Sequence, residues 1–168
     1  AKELAGRYLT ARTQMDDIAR NSRDYFALLQ PYFFGARNEQ LCLLCMDGKG
    51  KVLGIRKLGE GNVNAVNVTT RLIAEAALSL NAAGVVLAHN HVSGIAFPSG
   101  DDIATTNSLA PILAKLGVEL VDHVIFVDDD MVTAASTSHR NIYSITRCNG
   151  TDVLIQWDHE VMVCPNLK

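Results

Sequence analysis

The spacing of hydrophobic positions changes along the chain, and the changes divide it into elements. Leu4, Tyr8 and Leu9 recur at helical spacing, and Met15, Ile18 and Ala19 repeat the theme after a polar break. Ser22 reads as the N-cap of a helix over Arg23 to about Phe34 that carries Tyr25, Phe26, Leu28, Leu29 and Tyr32, with Pro31 expected to bend or end it. The pattern then tightens. Gln40 to Met46 is a nearly unbroken apolar run, Asp47-Gly-Lys-Gly50 has the composition of a hairpin turn, and Lys51 to Lys57 reads as the returning strand. Between Val68 and Leu80 the residues Leu72, Ile73, Ala76, Ala77 and Leu80 share one helical face, and Asn81-Ala-Ala-Gly84 ends that helix.

Val85 to Ala88 has the length and composition of a buried strand. A second amphipathic run follows Asp102 to about Leu116, with Ile103, Ala110, Leu113 and Leu116 expected inward, Pro111 expected to kink it and Gly117 to stop it. Val118 to Val127 and Met131 to Ala135 read as further strands. Past Ser136, the segments Ile142 to Thr146 and Asp152 to Trp157 flank Cys148-Asn-Gly150, a hairpin signal. Strand, helix and parallel strand in succession predict an α/β fold: a single domain whose mixed β-sheet is flanked by helices. The expected boundaries are a helical segment over 1–36, the domain proper over 37–138 and a β extension over 139–168.

Composition narrows the picture. A chain of 168 residues that is 48% hydrophobic can bury one substantial core. The net charge of −3 argues against a nucleic-acid footprint, which is normally basic. No apolar stretch approaches the roughly 18 residues of a membrane span, and Ala1-Lys-Glu-Leu-Ala-Gly does not read as a signal peptide. A start at Ala reads as a fragment or a processed product. Cys42-Leu-Leu-Cys45 has the spacing of a metal or redox pair, but on a strand residues i and i+3 point to opposite faces. Core thiols, and a reducing, cytoplasmic setting, are the expectation. Asp128-Asp-Asp130 reads as a turn, since calcium needs further spaced oxygen ligands.

The chemistry concentrates between Gly84 and Ile103. The strand over Val85 to Ala88 runs into His89 and His91, and Ser99 precedes Asp102 by three residues at the start of the next apolar run. Two imidazoles on one face of a rigid strand and a carboxylate returned by the next element can form a three-ligand cage. Nitrogen and oxygen ligands with a fourth position left to water fit a catalytic zinc site better than a structural one. Two other readings stand beside it. The histidines can be solvated neighbours on one strand face, and Ser99 with Asp102 fits the loose capping-box pattern of a helix start. The capping reading is compatible with the cage, because it holds Asp102 in the first helical turn.

His-x-His, seven residues, Ser, two residues, Asp resembles the JAMM signature of the JAB/MPN metalloprotease superfamily. Ala88-His-Asn-His91 and Leu120-Val-Asp-His123-Val-Ile resemble its bacterial RadC-like branch in particular. The resemblance covers roughly Glu39 to Ala135. It implies a JAB/MPN fold, similar to the cytidine-deaminase-like arrangement, with Zn2+ held by His89, His91 and Asp102. It also implies Glu39, just before the first strand, as general base, and Ser99 as a stabiliser of the oxyanion. The expected reaction is hydrolysis of a peptide or isopeptide bond in a protein or peptide substrate. His123 lies outside the metal motif and reads as structural, and His139 and His159 as surface residues. Two departures stand out: Val92 where the family usually has Pro, and Gly61-Asn62-Val63-Asn64 where it has a Gly-Thr segment.

Two other classes remain open on this reading. The DNA-repair label of RadC-like proteins implies a nucleic-acid-binding or processing module, against which the acidic balance weighs. A non-catalytic MPN interaction domain is the other, although it has no need of intact ligands and Glu39. Deamination is excluded by the missing His-x-Glu and Pro-Cys-x-x-Cys elements.

Overall fold

Every residue of the strand that ends in the two histidines, Gly84–His91, is buried. That follows from its place in the sheet, with a strand on each side and helices over both faces. The computed structural model describes residues 17–60, 66–92, 99–127, 142–148, 152–157 and 160–163. Helix α1 (Ser22–Leu29) leads into a short 3-10 helix over Gln30–Phe33, and strands β1 (Gln40–Met46) and β2 (Val52–Glu60) form a hairpin. Helix α2 (Val66–Ser79), β3 (Gly84–His91), α3 (Gly100–Lys115) and β4 (Glu119–Val127) follow, then β5 (Ile142–Cys148), β6 (Asp152–Trp157) and β7 (Glu160–Val163).

The strands form one sheet in the order β2-β1-β3-β4-β5-β6-β7. β1 is antiparallel to both β2 and β3, whereas β3 and β4 run parallel, so the sheet is mixed. β5, β6 and β7 continue it beyond β4 as antiparallel neighbours. This α/β domain, a mixed sheet with helices against its faces, has the JAB/MPN arrangement that the resemblance implies. No helix among the described residues is long and apolar enough to cross a membrane.

The two faces carry separate cores. On one, Cys42, Leu44, Val86, Ala88, Val124 and Phe126 meet Tyr25, Leu29 and Phe33. Phe33 stacks on Phe126 at 4.7 Å between ring centroids, which fixes the 3-10 turn on the sheet. On the other, Leu43, Cys45 and Leu87 meet Ile73 and Ala77 of α2 and Leu109 and Leu113 of α3. Each fully buried Leu or Ile here contributes about 1.5–3 kcal/mol relative to exposure. Cys42 and Cys45 therefore lie in different cores, as strand alternation requires, and both are free thiols.

Local chemistry sets the ends of the elements. Asn21, not Ser22, caps α1: its side chain accepts from the Asp24 N–H at 3.0 Å. Pro31 ends the α-helix by opening the 3-10 turn, where its missing N–H costs nothing. Helices α2 and α3 close alike. Asn81 (φ 51°) and Gly117 (φ 76°) turn left-handed, and Ala82 and Val118 donate back to Ala77 and Leu113. Helix α3 runs through Pro111, which lies on its exposed side. Leu116 and Leu72, expected inward, are exposed, and Leu109 takes the inward position on α3. Leu116 is the C-cap, where the helical face no longer tracks the core. The expected helix before residue 17, the loop at 61–65 and the strand over Met131 to Ala135 lie outside the described residues.

Candidate metal centre

The end of β3 and the start of α3 bring three side chains to one point. Alternation puts His89 and His91 on the same face of β3, and their rings lie 4.8 Å apart between centroids. Asp102 arrives from the first turn of α3. Ser99 Oγ accepts the Asp102 N–H at 3.1 Å, and the Asp102 carboxylate accepts the Ser99 N–H at 2.7 Å, a reciprocal capping box. The box fixes the carboxylate as well as the helix. Asp102 Oδ1 stands 3.0 Å from His89 Nε2, and Oδ2 stands 3.0 Å from His91 Nε2. The two Nε2 atoms are 2.9 Å apart.

Burial works against the charge on Asp102, but the polar groups around it, the His89 and His91 imidazoles and the Ser99 N–H, outweigh it and hold the carboxyl well below the usual range. Asp102 thus presents an anion beside two imidazoles.

These atoms fit a small divalent cation. Tetrahedral ligands at zinc distances of about 2.05 Å sit about 3.3 Å from one another, and the observed separations of 2.9 and 3.0 Å are only slightly tighter. His89, His91 and Asp102 can therefore hold a metal ion. No other group of three or more potential ligands of this kind occurs among the described residues.

Around this trio stand three residues that sequence reasoning assigned no place in the site. His123 on β4 brings Nε2 to 2.8 Å from His89 Nδ1, and its own Nδ1 lies 2.7 Å from Thr106 Oγ1 on α3. Thr106 in turn donates to the Asp102 carbonyl at 2.7 Å. Burial pushes the His123 imidazole down to about 3. His123 is outside the trio, yet it touches His89. Asn90, fully buried between the two histidines, holds the segment before β1: its Oδ1 accepts the Gln40 N–H at 2.7 Å, and its amide donates to the Asn38 carbonyl at 3.2 Å.

Glu39 is the residue between those two contacts. It is half-buried, one position before β1, at the sheet end where Leu41 registers with His89. Ser99 is exposed, and its capping role uses an oxygen lone pair, which leaves the hydroxyl proton to donate elsewhere. Val92 is exposed and supplies no ligand. His139, His159 and Asp128-Asp-Asp130 lie outside the described residues. The Cys42 and Cys45 thiols are pushed up by burial to about 12 and about 11, which suits inert core residues and no metal pair.

Comparison with known proteins agrees with this geometry. The model of a family described as RadC-like JAB domain matches residues 19–140. The chain is 34% identical over 133 residues to a UPF0758 protein of Pseudoalteromonas translucida, a match covering 79% of this chain and 59% of that relative. It is 30% identical over 131 residues to a UPF0758 protein of Legionella pneumophila, covering 78% and 58%. With a UPF0758 protein of Acinetobacter baylyi it shares 32% identity over 168 residues, covering 97% and 61%. The chain thus spans about three fifths of the length of these curated relatives.

Proposed function

We propose that this chain, which belongs to the RadC-like JAB domain family, is a zinc-dependent hydrolase of peptide or isopeptide bonds. The observation that carries the reading is the convergence of the two imidazoles, 2.9 Å apart at Nε2, on the Asp102 carboxylate, whose Oδ1 lies 3.0 Å from His89 Nε2 and whose Oδ2 lies 3.0 Å from His91 Nε2. His89, His91 and Asp102 would hold the ion, which would supply a Lewis acid and a coordinated water of pKa about 7.

The remaining roles fall to side chains of this chain. Glu39 accepts the proton of the attacking water and returns it to the leaving amine, a task for a carboxylate outside the ligand set. Asn90 supports this by pinning the backbone on both sides of Glu39. Ser99 donates its free hydroxyl proton toward the developing oxyanion while its lone pair keeps the α3 cap. The substrate is a protein or peptide that lays its scissile carbonyl against the exposed rim of the site, near Ser99. The two free core thiols suit a cytoplasmic setting.

Glu39→Gln tests the reading. Glutamine keeps the size and hydrogen bonding of Glu39 but accepts no proton at neutral pH. Zinc content is expected to stay unchanged while turnover of fluorogenic peptides or lysine-linked isopeptide conjugates falls on the order of 100-fold or more. Equal turnover in the two proteins removes Glu39 as base. No turnover in either, with zinc bound, indicates an interaction module.

A further inference from the structure

Thr106 and His123 lie behind the metal centre, and their hydrogen bonds have a direction that the geometry determines. The Asp102 carbonyl can only accept, so the single hydroxyl proton of Thr106 points to it, at 2.7 Å. Thr106 Oγ1 then has only lone pairs to offer His123 Nδ1, 2.7 Å away, and Nδ1 must carry the proton of that ring. A neutral imidazole protonated at Nδ1 has a bare Nε2. This nitrogen lies 2.8 Å from His89 Nδ1 and accepts a proton from it. His89 in turn has a bare Nε2, the atom that faces His91 and Asp102.

We propose that Thr106 and His123 form a buried relay that fixes the tautomer of His89, so that its Nε2 lone pair is always presented to a cation at the His91–Asp102 site. Both are positioning residues, and the proposal rests on the metal reading above. The relay has an energetic consequence. A bare His89 Nε2 and the anionic Asp102 Oδ1 are two acceptors facing one another across 3.0 Å. They repel unless a positive charge lies between them, so the relay favours metal binding at the expense of the metal-free arrangement. The chain also closes on itself: Thr106 is anchored on the carbonyl of Asp102, one turn before it on α3, so the helix that delivers the carboxylate also sets the imidazole. Outer partners of this type are worth about 10–100-fold in metal affinity.

Zinc affinity of the whole chain, measured by competition with a chromophoric chelator, tests this alongside nitrogen-15 NMR of the histidine rings. Thr106→Val keeps the volume and removes the hydroxyl; it is expected to weaken zinc binding about 10-fold, whereas Thr106→Ser binds as the wild type does. His123→Leu is expected to lose about 10–100-fold, with partial recovery in His123→Gln, whose carbonyl can accept from His89 Nδ1. Thermal unfolding of each variant confirms that it is folded at the assay temperature. The NMR spectrum should show protonated Nδ1 and bare Nε2 on His123. Wild-type affinity in Thr106→Val, or a His123 proton on Nε2, overturns the relay. A wild-type chain that binds no zinc overturns the metal reading itself, and the ring tautomers in the metal-free protein then decide the hydrogen-bond chain on their own.

Discussion

The side-chain oxygen of Asn90 accepts the backbone N–H of Gln40 at 2.7 Å, fifty residues away in sequence. The bond joins the strand of the two histidines to the start of β1 on the sheet face opposite the rings, and it is buried. Replacing Asn90 by Ala removes that acceptor and the donor to the Asn38 carbonyl. A loss of about 1–3 kcal/mol in urea unfolding is expected, the scale of a buried polar group deprived of its partner. A change within about 0.5 kcal/mol, the range of neutral surface substitutions, shows that the two contacts do not hold the segment.

Gly50 provides a second test, of how the chain before α1 docks on the hairpin. Its φ is +81°, and a Cβ built on it would stand 2.5 Å from the Ala19 carbonyl oxygen. The Ala19 N–H donates to the Gly50 carbonyl at 2.8 Å, and Ile18 forms a bridge to Lys51, so neither backbone can retreat without losing a contact. Gly50→Ala should therefore cost more than about 1 kcal/mol, left-handed strain and the clash together. Gly48→Ala is the control, since its Cβ would meet nothing closer than 4.0 Å.

The pH dependence of stability follows from the two core thiols. Burial raises Cys42 to about 12 and Cys45 to about 11, against 9.0 for an unperturbed thiol. A folded pKa above the unfolded one means that their contribution is complete below pH 9 and is lost as pH rises toward 11 and 12. The unfolding free energy should fall by up to about 1.4 kcal/mol per pH unit for each thiol in that window. Tyr25 and Tyr32, also raised by burial, add to the slope above pH 10. Cys42→Ala should flatten the slope even though it lowers the plateau; an unchanged slope contradicts the assignment.

Much of this architecture was legible in the sequence because it is written locally. Unbroken apolar runs announced β1 and β3, and Ser99 with Asp102 announced the start of α3. The spacing of His89, His91 and Asp102 placed three candidate ligands on neighbouring element ends, and the structure brings them together. Residues behind the site were not legible, for a physical reason. His123 reaches His89 only because β4 runs parallel to β3 with Leu87 opposite His123, a register shifted between Val85 and Val86. No local pattern specifies that shift. Thr106 looks like any polar residue in an amphipathic helix until α3 is laid over the sheet. Asn90 could have been suspected, since alternation turns it away from the histidines into the opposite core, where a buried amide needs partners. Leu72 and Leu116 misled because helical periodicity gives a face but not its width.

Metal content measures most directly whether His89, His91 and Asp102 form one zinc site. The chain, expressed and purified without added metal and assayed by mass spectrometry of the elements, is expected to carry about one zinc per molecule. His89→Ala and Asp102→Ala should lose it, while Glu39→Gln, His139→Ala and His159→Ala retain it. Zinc at the wild-type level in Asp102→Ala, or no zinc in the wild type even after titration with the ion, rules out a zinc site built from these three residues.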